Sequence, residues 1–137
     1  MYPPELVAPM KAELTSNGYK ELTTAAAVDE QMKLSGTTLV IINSVCGCAA
    51  GNARPAAIKA AGFTKKPDHL TTVFAGVDGE AVAQARNYML PYPPSSPSMA
   101  LFKDGKLVHF IERHHIEGSS ADMIADNLNA AFEEFCN

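Results

Sequence analysis

The 137-residue sequence carries no excess of basic residues: eleven Lys and Arg stand against fifteen Asp and Glu, a formal net charge of −4. Nucleic-acid binders ordinarily present a basic face that releases condensed counterions, so nucleic acid is not an expected partner. Long apolar runs are missing as well. Stretches such as Leu39 to Ile42 fall far short of the roughly 18 residues that a membrane span requires, so no membrane partner is expected. The chain opens Met1, Tyr2, Pro3, Pro4, Glu5 without a basic segment leading into an apolar one, so no secretory signal is read and a cytoplasmic location is expected. Cysteine is scarce: Cys46 and Cys48 sit two apart and Cys136 stands alone near the end. An odd, sparse set does not make a disulfide framework, and closely spaced cysteines in a reducing compartment are more often catalytic or metal-binding.

What is present suits one self-sufficient fold. Hydrophobic residues make up 47% and charged residues 19% of the chain, enough to bury a core at a length that fits a single domain. Leu6, Met10 and Leu14 recur at helical spacing, with a helix expected from about Pro9 to Asn17 and Gly18 as its C-terminal cap. Tyr19 to Leu22 reads as a short strand and Ala25 to Leu34 as a helix. The unbroken apolar run in Thr37 to Ile42 marks a central strand covered on both faces. The Ala-rich segment Ala49 to Ala61 is the next helix, with Pro55 kinking it or marking its first turn. Leu70 to Ala75 is a strand, Glu80 to Leu90 a helix, and Pro91 to Pro97 an irregular loop. Met99 to Lys103 and Lys106 to Glu112 flank Asp104-Gly105, a strong hairpin signal. Ser119 with Asp122 forms a capping box for a last helix reaching about Phe135. The order is a helix followed by β-α-β-α-β-α-β-β-α. That order predicts an α/β fold with a mixed central sheet, helices on both faces and an extra N-terminal helix.

A cysteine-bearing turn between a central strand and a helix, Pro55 in that helix, Ser96-Pro97-Ser98 before a strand and the Phe102-Lys103-Asp104-Gly105 hairpin resemble the thioredoxin fold from about Tyr19 to Phe135. That resemblance implies a cis Pro97 facing the cysteines. Cys-Gly-Cys in place of Cys-X-X-Cys narrows it. The run Asn43-Ser44-Val45-Cys46-Gly47-Cys48-Ala49-Ala50-Gly51-Asn52-Ala53-Arg54-Pro55, with Pro94 to Ser98 downstream, is similar to the bacilliredoxins. The resemblance implies a thiol-disulfide oxidoreductase acting on mixed disulfides between bacillithiol and client proteins, with bacillithiol as co-substrate thiol and no metal or organic prosthetic group. It implies that Cys46 attacks and takes up the low-molecular-weight thiol, and that Cys48 or another thiol resolves the adduct.

Physical chemistry assigns these roles independently. The thiolate is the reactive form, and a helix N-terminus favours it through free N–H groups and the dipole, which makes Cys46 the natural nucleophile. Gly47 is expected to remove a Cβ that would crowd the two cysteines and to allow unusual backbone angles. A Cys-X-Cys ring is smaller than a Cys-X-X-Cys ring, so its disulfide is expected to be strained and easily reduced. Arg54 offers positive charge to the Cys46 thiolate or to the carboxylates of a thiol such as bacillithiol, or else is a surface arginine. Ser96, Pro97 and Ser98 are expected to border the cysteines, with backbone open to strand addition by a client.

Rival readings attach to the same residues. Cys46 and Cys48 could be buried small hydrophobes, or half of a zinc site that lacks a second cysteine pair. His114 and His115, expected at the active-site edge after a last strand parallel to the central one, could complete such a site, assist Cys46, or be solvated surface. Cys136 is expected about 24 Å from the active-site edge, at the far end of its helix, as a thiol able to pair between molecules. A general disulfide reductase or isomerase, and a non-catalytic redox sensor or binding module, are the competing functions.

Overall fold

Every residue of the seven-residue strand β2 (Thr37–Asn43) is buried, so it needs cover on both faces. The computed structural model, which describes residues 2–137, surrounds it with β1 (Lys20–Glu21), β3 (His69–Phe74), β4 (Ser98–Lys103) and β5 (Lys106–Ile111). The five strands lie in the order β1-β3-β2-β4-β5. β3 runs parallel to both β1 and β2, whereas β4 is antiparallel to β2 and β5 to β4. The last strand therefore runs parallel to β2, as the sequence predicts, and both end at the same sheet edge.

Successive residues of a strand point to opposite faces, so β2 feeds two cores. Leu39 and Ile41 join Leu14, Leu101, Leu128 and Phe132 beneath α1 (Pro4–Thr15), α3 (Arg54–Ala60) and α6 (Ala121–Phe135). Val40 and Ile42 join Val28, Val82 and Phe102 beneath α2 (Ala25–Met32) and α4 (Gly79–Tyr88). The mixed sheet, its two helical layers and the leading helix are those expected. In the β4–β5 hairpin Asp104 and Gly105 have φ of 51° and 79°, the pair of positive values that a type I′ turn demands. A Cβ on Gly105 would stand 2.7 Å from the Met32 carbonyl oxygen, so only glycine fits.

Four local features depart from expectation. α1 begins at Pro4, not Pro9: Pro4 occupies the first turn, where its missing N–H costs nothing, and Pro9 is carried inside the helix. The cap of α6 is Ser120, one residue later than predicted, whose hydroxyl accepts the Met123 N–H at 3.1 Å. Residues Ala49–Ala53 form a π-helical turn in which the Arg54 N–H reaches back to the Ala49 carbonyl. Pro55 follows it without a donor of its own, inside the first turn of α3. A short helix, α5 (Arg113–Glu117), lies between β5 and α6 where the sequence suggests only a strand end.

Cys136 is distant from the cysteine pair, as expected, because it lies beside Thr37 at the start of β2. It is only 4% exposed, and burial pushes its thiol up. The expectation that it could pair between molecules is corrected: the packing of α6 encloses it.

Candidate active site

β2 ends at Asn43 and delivers Cys46 three residues later to the mouth of the π-helical turn. Asn43 and Ser44 shape the approach: the Asn43 side-chain oxygen accepts the Ser44 N–H at 2.9 Å, and the Ser44 hydroxyl accepts the Cys46 N–H at 3.3 Å. The Cys46 carbonyl accepts the N–H groups of Ala49 and Ala50. Cys46 and Cys48 are free, half-buried thiols with sulfurs 2.7 Å apart.

Their acidities are driven apart. A hydrogen bond from the Cys48 thiol, then the Cys48 backbone N–H, the charge of Arg113 and the Ala49 N–H hold Cys46 below the ordinary cysteine range. Burial, reinforced by the hydrogen bond it gives and the negative charge of Cys46, pushes Cys48 up. One sulfur is thus poised as the nucleophile while the other keeps its proton. Exposure at the mouth of a turn rules out the reading of Cys46 as a core hydrophobe.

The cation on Cys46 is Arg113, which sequence reasoning missed. Its Nη2 donates to Cys46 Sγ at 3.3 Å, its Nη1 to the Ser96 carbonyl at 3.2 Å and its Nε to Glu117. α5 holds this residue in place, and Asn52 of the π-helical turn anchors α5 by donating to the carbonyls of Ile116 and Ser119. The only sequence signal was topological: a strand parallel to β2 had to end here, and the imidazoles sought at that end are one and two residues beyond the guanidinium.

Arg54 does not fill the role expected of it. It is 2% exposed and bonds to the Asn43 side chain, the Ser44 carbonyl and Glu13. It braces the strand end that aims Cys46 and is neither a surface arginine nor a cation on the thiolate. Gly47 is exposed, a Cβ on it would meet nothing within 4 Å beyond the two flanking cysteines, and its φ is not positive. Backbone strain does not demand glycine there, contrary to expectation; its bareness leaves the solvent side of the sulfurs open. The Ser96-Pro97 bond is cis. Ser96 and Cys46 line one groove of about 480 Å³ with Tyr2, Ser44, Val45, Ala75, Gly76, Arg86 and Arg113. Ser98 is fully buried and paired with Ile42, so it does not border the cysteines. The carbonyl of Ser95 accepts from Ser98 and Arg86 and that of Ser96 from Arg113, which leaves the Ser96 carbonyl one lone pair. His114 and His115 are exposed on α5. With Glu112 they place ligand atoms within 4.8 Å of one another, and no metal-capable cluster among the described residues includes a cysteine.

The arrangement, a proton-sharing sulfur pair at a helix mouth beside a cis-proline loop, is one of disulfide exchange. A family model described as disulphide isomerase matches residues 2–136. A bacilliredoxin of Cytophaga hutchinsonii is 64% identical over 134 residues, spanning 98% of this chain and 99% of its own. A bacilliredoxin of Bacillus cereus is 55% identical over 132 residues, spanning 96% and 92%. The chain belongs to the bacilliredoxin family. Among solved structures, oxidised mitochondrial thioredoxin 3 of Saccharomyces cerevisiae has a TM-score of 0.60 at 17% identity, covering 90% of this chain and 99% of that one. Trxlp of Edwardsiella tarda has 0.59 at 16%, covering 79% and 96%. The fold is thioredoxin-like, and this bacilliredoxin-family member is a thiol-disulfide oxidoreductase.

Arg113 then has a measurable role in a bacilliredoxin-family site. Arg113→Gln removes a cation that favours the thiolate, so the pH profile of iodoacetamide alkylation at Cys46 is expected to move to higher pH. At neutral pH the rate should fall severalfold. An unmoved profile would show that the guanidinium does not set this thiol's acidity.

Proposed function

We propose that this bacilliredoxin-family oxidoreductase removes bacillithiol from mixed disulfides on client proteins in the cytoplasm. The observation that carries the proposal is the polarised sulfur pair: a low-lying Cys46 thiolate beside a protonated Cys48, facing an open groove. The Cys46 thiolate attacks the bacillithiol sulfur. A Cys46–bacillithiol disulfide forms as the bond to the client sulfur breaks, and the client leaves as a thiolate that takes a proton from water. Cys48, once deprotonated, attacks Cys46 Sγ, expels the bacillithiol thiolate and leaves a Cys46–Cys48 disulfide; an external thiol can resolve the adduct instead. Electrons only move between sulfurs, so no metal or organic prosthetic group takes part.

The competing function, general disulfide reduction, uses the same sulfurs on different partners. Reduced protein is mixed with a client carrying one bacillithiol and, in parallel, with the same client in an interprotein disulfide. Bacillithiol release at least about tenfold faster than interprotein reduction is expected, which corresponds to about 1.4 kcal/mol of differential transition-state stabilisation. Equal rates would favour the general reductase. No reaction with either would favour a redox sensor.

A further inference from the structure

We propose that the groove on the Arg86 side of Cys46 is a carboxylate subsite for a small thiol, in which Arg86 and Arg113 hold the carboxylate of the low-molecular-weight half of the mixed disulfide and so determine which of its two sulfurs Cys46 attacks. This deepens the proposed function and rests on it.

The starting observation is an arginine with too little to do. Arg86, in the last turn of α4, is half-buried in the groove that Cys46 also lines. Its Nη2 makes one long hydrogen bond, 3.4 Å to the Ser95 carbonyl, and its Nε is buried with no partner among the described residues. No carboxylate lies within ion-pair reach of it among those residues. Burial alone is enough to push its guanidinium down. A desolvated cation with an orphaned donor is costly unless something pairs with it.

The surroundings specify what that is. On a chain of net charge −4, this groove contains two arginines and no acidic residue. Its volume of about 480 Å³ falls in the range that takes a small molecule. Arg113, an exposed residue, reaches Cys46 Sγ, with Nη1 committed to Ser96. Planar guanidinium groups recognise carboxylates by paired, charge-assisted hydrogen bonds. The other side of Cys46 differs: there Gly47, Cys48, Asn52, Arg113 and Glu117 line a more open depression, in which the one cation is already paired with the carboxylate of Glu117.

Exchange needs the attacking, central and leaving sulfurs nearly in line. A carboxylate-bearing thiol anchored in the cationic groove presents its own sulfur as the central one. The Cys46 thiolate bonds to that sulfur, the bond to the other sulfur breaks, and the uncharged partner departs as a thiolate. The groove is thus a device for keeping the small thiol on Cys46 and releasing the client.

The test uses the full chain with Cys48→Ser, so that adducts persist, and intact mass to identify them. One substrate joins a neutral cysteine peptide to 3-mercaptopropionate, a second joins the same peptide to 2-mercaptoethanol, and a third joins an acidic peptide to 2-mercaptoethanol. With the first, Cys46 should retain mercaptopropionate and release peptide. Arg86→Gln should slow that reaction roughly tenfold while changing the other two within about twofold, with Arg86→Lys restoring part of the loss. Equal slowing on all substrates, no slowing on any, retention of the peptide on Cys46, or an Arg86 dependence for the acidic peptide would each overturn the subsite. Should Arg86→Gln fail to fold, competition on the Arg86 protein decides: free succinate should slow the first reaction alone, and equal effects on the first two would overturn it. Charge selectivity without release from bacillithiolated client would remove the proposed function and leave the subsite standing. The converse would remove the subsite only.

Discussion

Cys46→Ser is expected to lower bacillithiol release by roughly a thousandfold or more, to the background set by buffer thiols, because a serine hydroxyl is not ionised at neutral pH and burial keeps the neighbouring Cys48 protonated. Cys136 cannot substitute, being buried at the opposite end of β2. Cys48→Ser behaves differently. A hydroxyl still offers a proton to the Cys46 sulfur, so the first attack is preserved. Without a second sulfur the adduct persists and is seen by mass as one bacillithiol on Cys46. Wild-type protein passes beyond that point to an internal disulfide, whose small ring is expected to titrate at a potential above the thioredoxin value of about −270 mV. Retained release in Cys46→Ser would remove the nucleophile assignment. No trapped adduct in Cys48→Ser would remove the resolving role, and a thioredoxin-like potential would count against ring strain.

How far such roles were legible beforehand depends on how locally each is encoded. β2 could be read because burial on both faces leaves an unbroken apolar run, and the β4–β5 turn because Asp104-Gly105 states its backbone angles in its residue types. Cys46 and Cys48 could be read because chemistry and spacing sit in three consecutive residues. Arg113 could not: it comes from a five-residue helix too short for periodicity, and it meets Cys46 only because the β4–β5 hairpin returns the chain to the sheet edge where β2 ends. Arg86 was hidden for the same reason, since α4 reaches the groove only after the sheet is assembled. Gly47 was credited with unusual backbone angles it does not use, and Ser98 with bordering a groove from which it is buried, because a loop's open side and a strand's buried end look alike in one dimension.

Arg54 shows how an adjacent charge can be misassigned, and its replacement is the most damaging change expected for stability. Seen in sequence, a cation eight residues after Cys46 on a helix points to service of the thiolate. In the fold its guanidinium is enclosed and donates to Asn43 Oδ1 at 3.0 Å and the Ser44 carbonyl at 2.8 Å, while Nε meets Glu13 at 3.0 Å. Asn43 in turn donates to the Met10 carbonyl, so one side chain ties α1, α3 and the end of β2 together. Arg54→Ala leaves two acceptors short of a donor and a void the size of the longest buried side chain, at a cost of about 3 kcal/mol. A melting temperature roughly 10 °C lower should accompany it. Glu13→Gln, at an ion pair whose acidic side chain is 42% exposed, should cost less than about 1 kcal/mol. Denaturant titration separates the two roles: a lowered midpoint with an unchanged slope is expected for Arg54→Ala. For Arg54→Lys, which keeps the charge but loses the fork, the alkylation profile of Cys46 should hold its pH dependence while stability still falls. Wild-type stability combined with a displaced alkylation profile would return Arg54 to the thiolate and undo the bracing role.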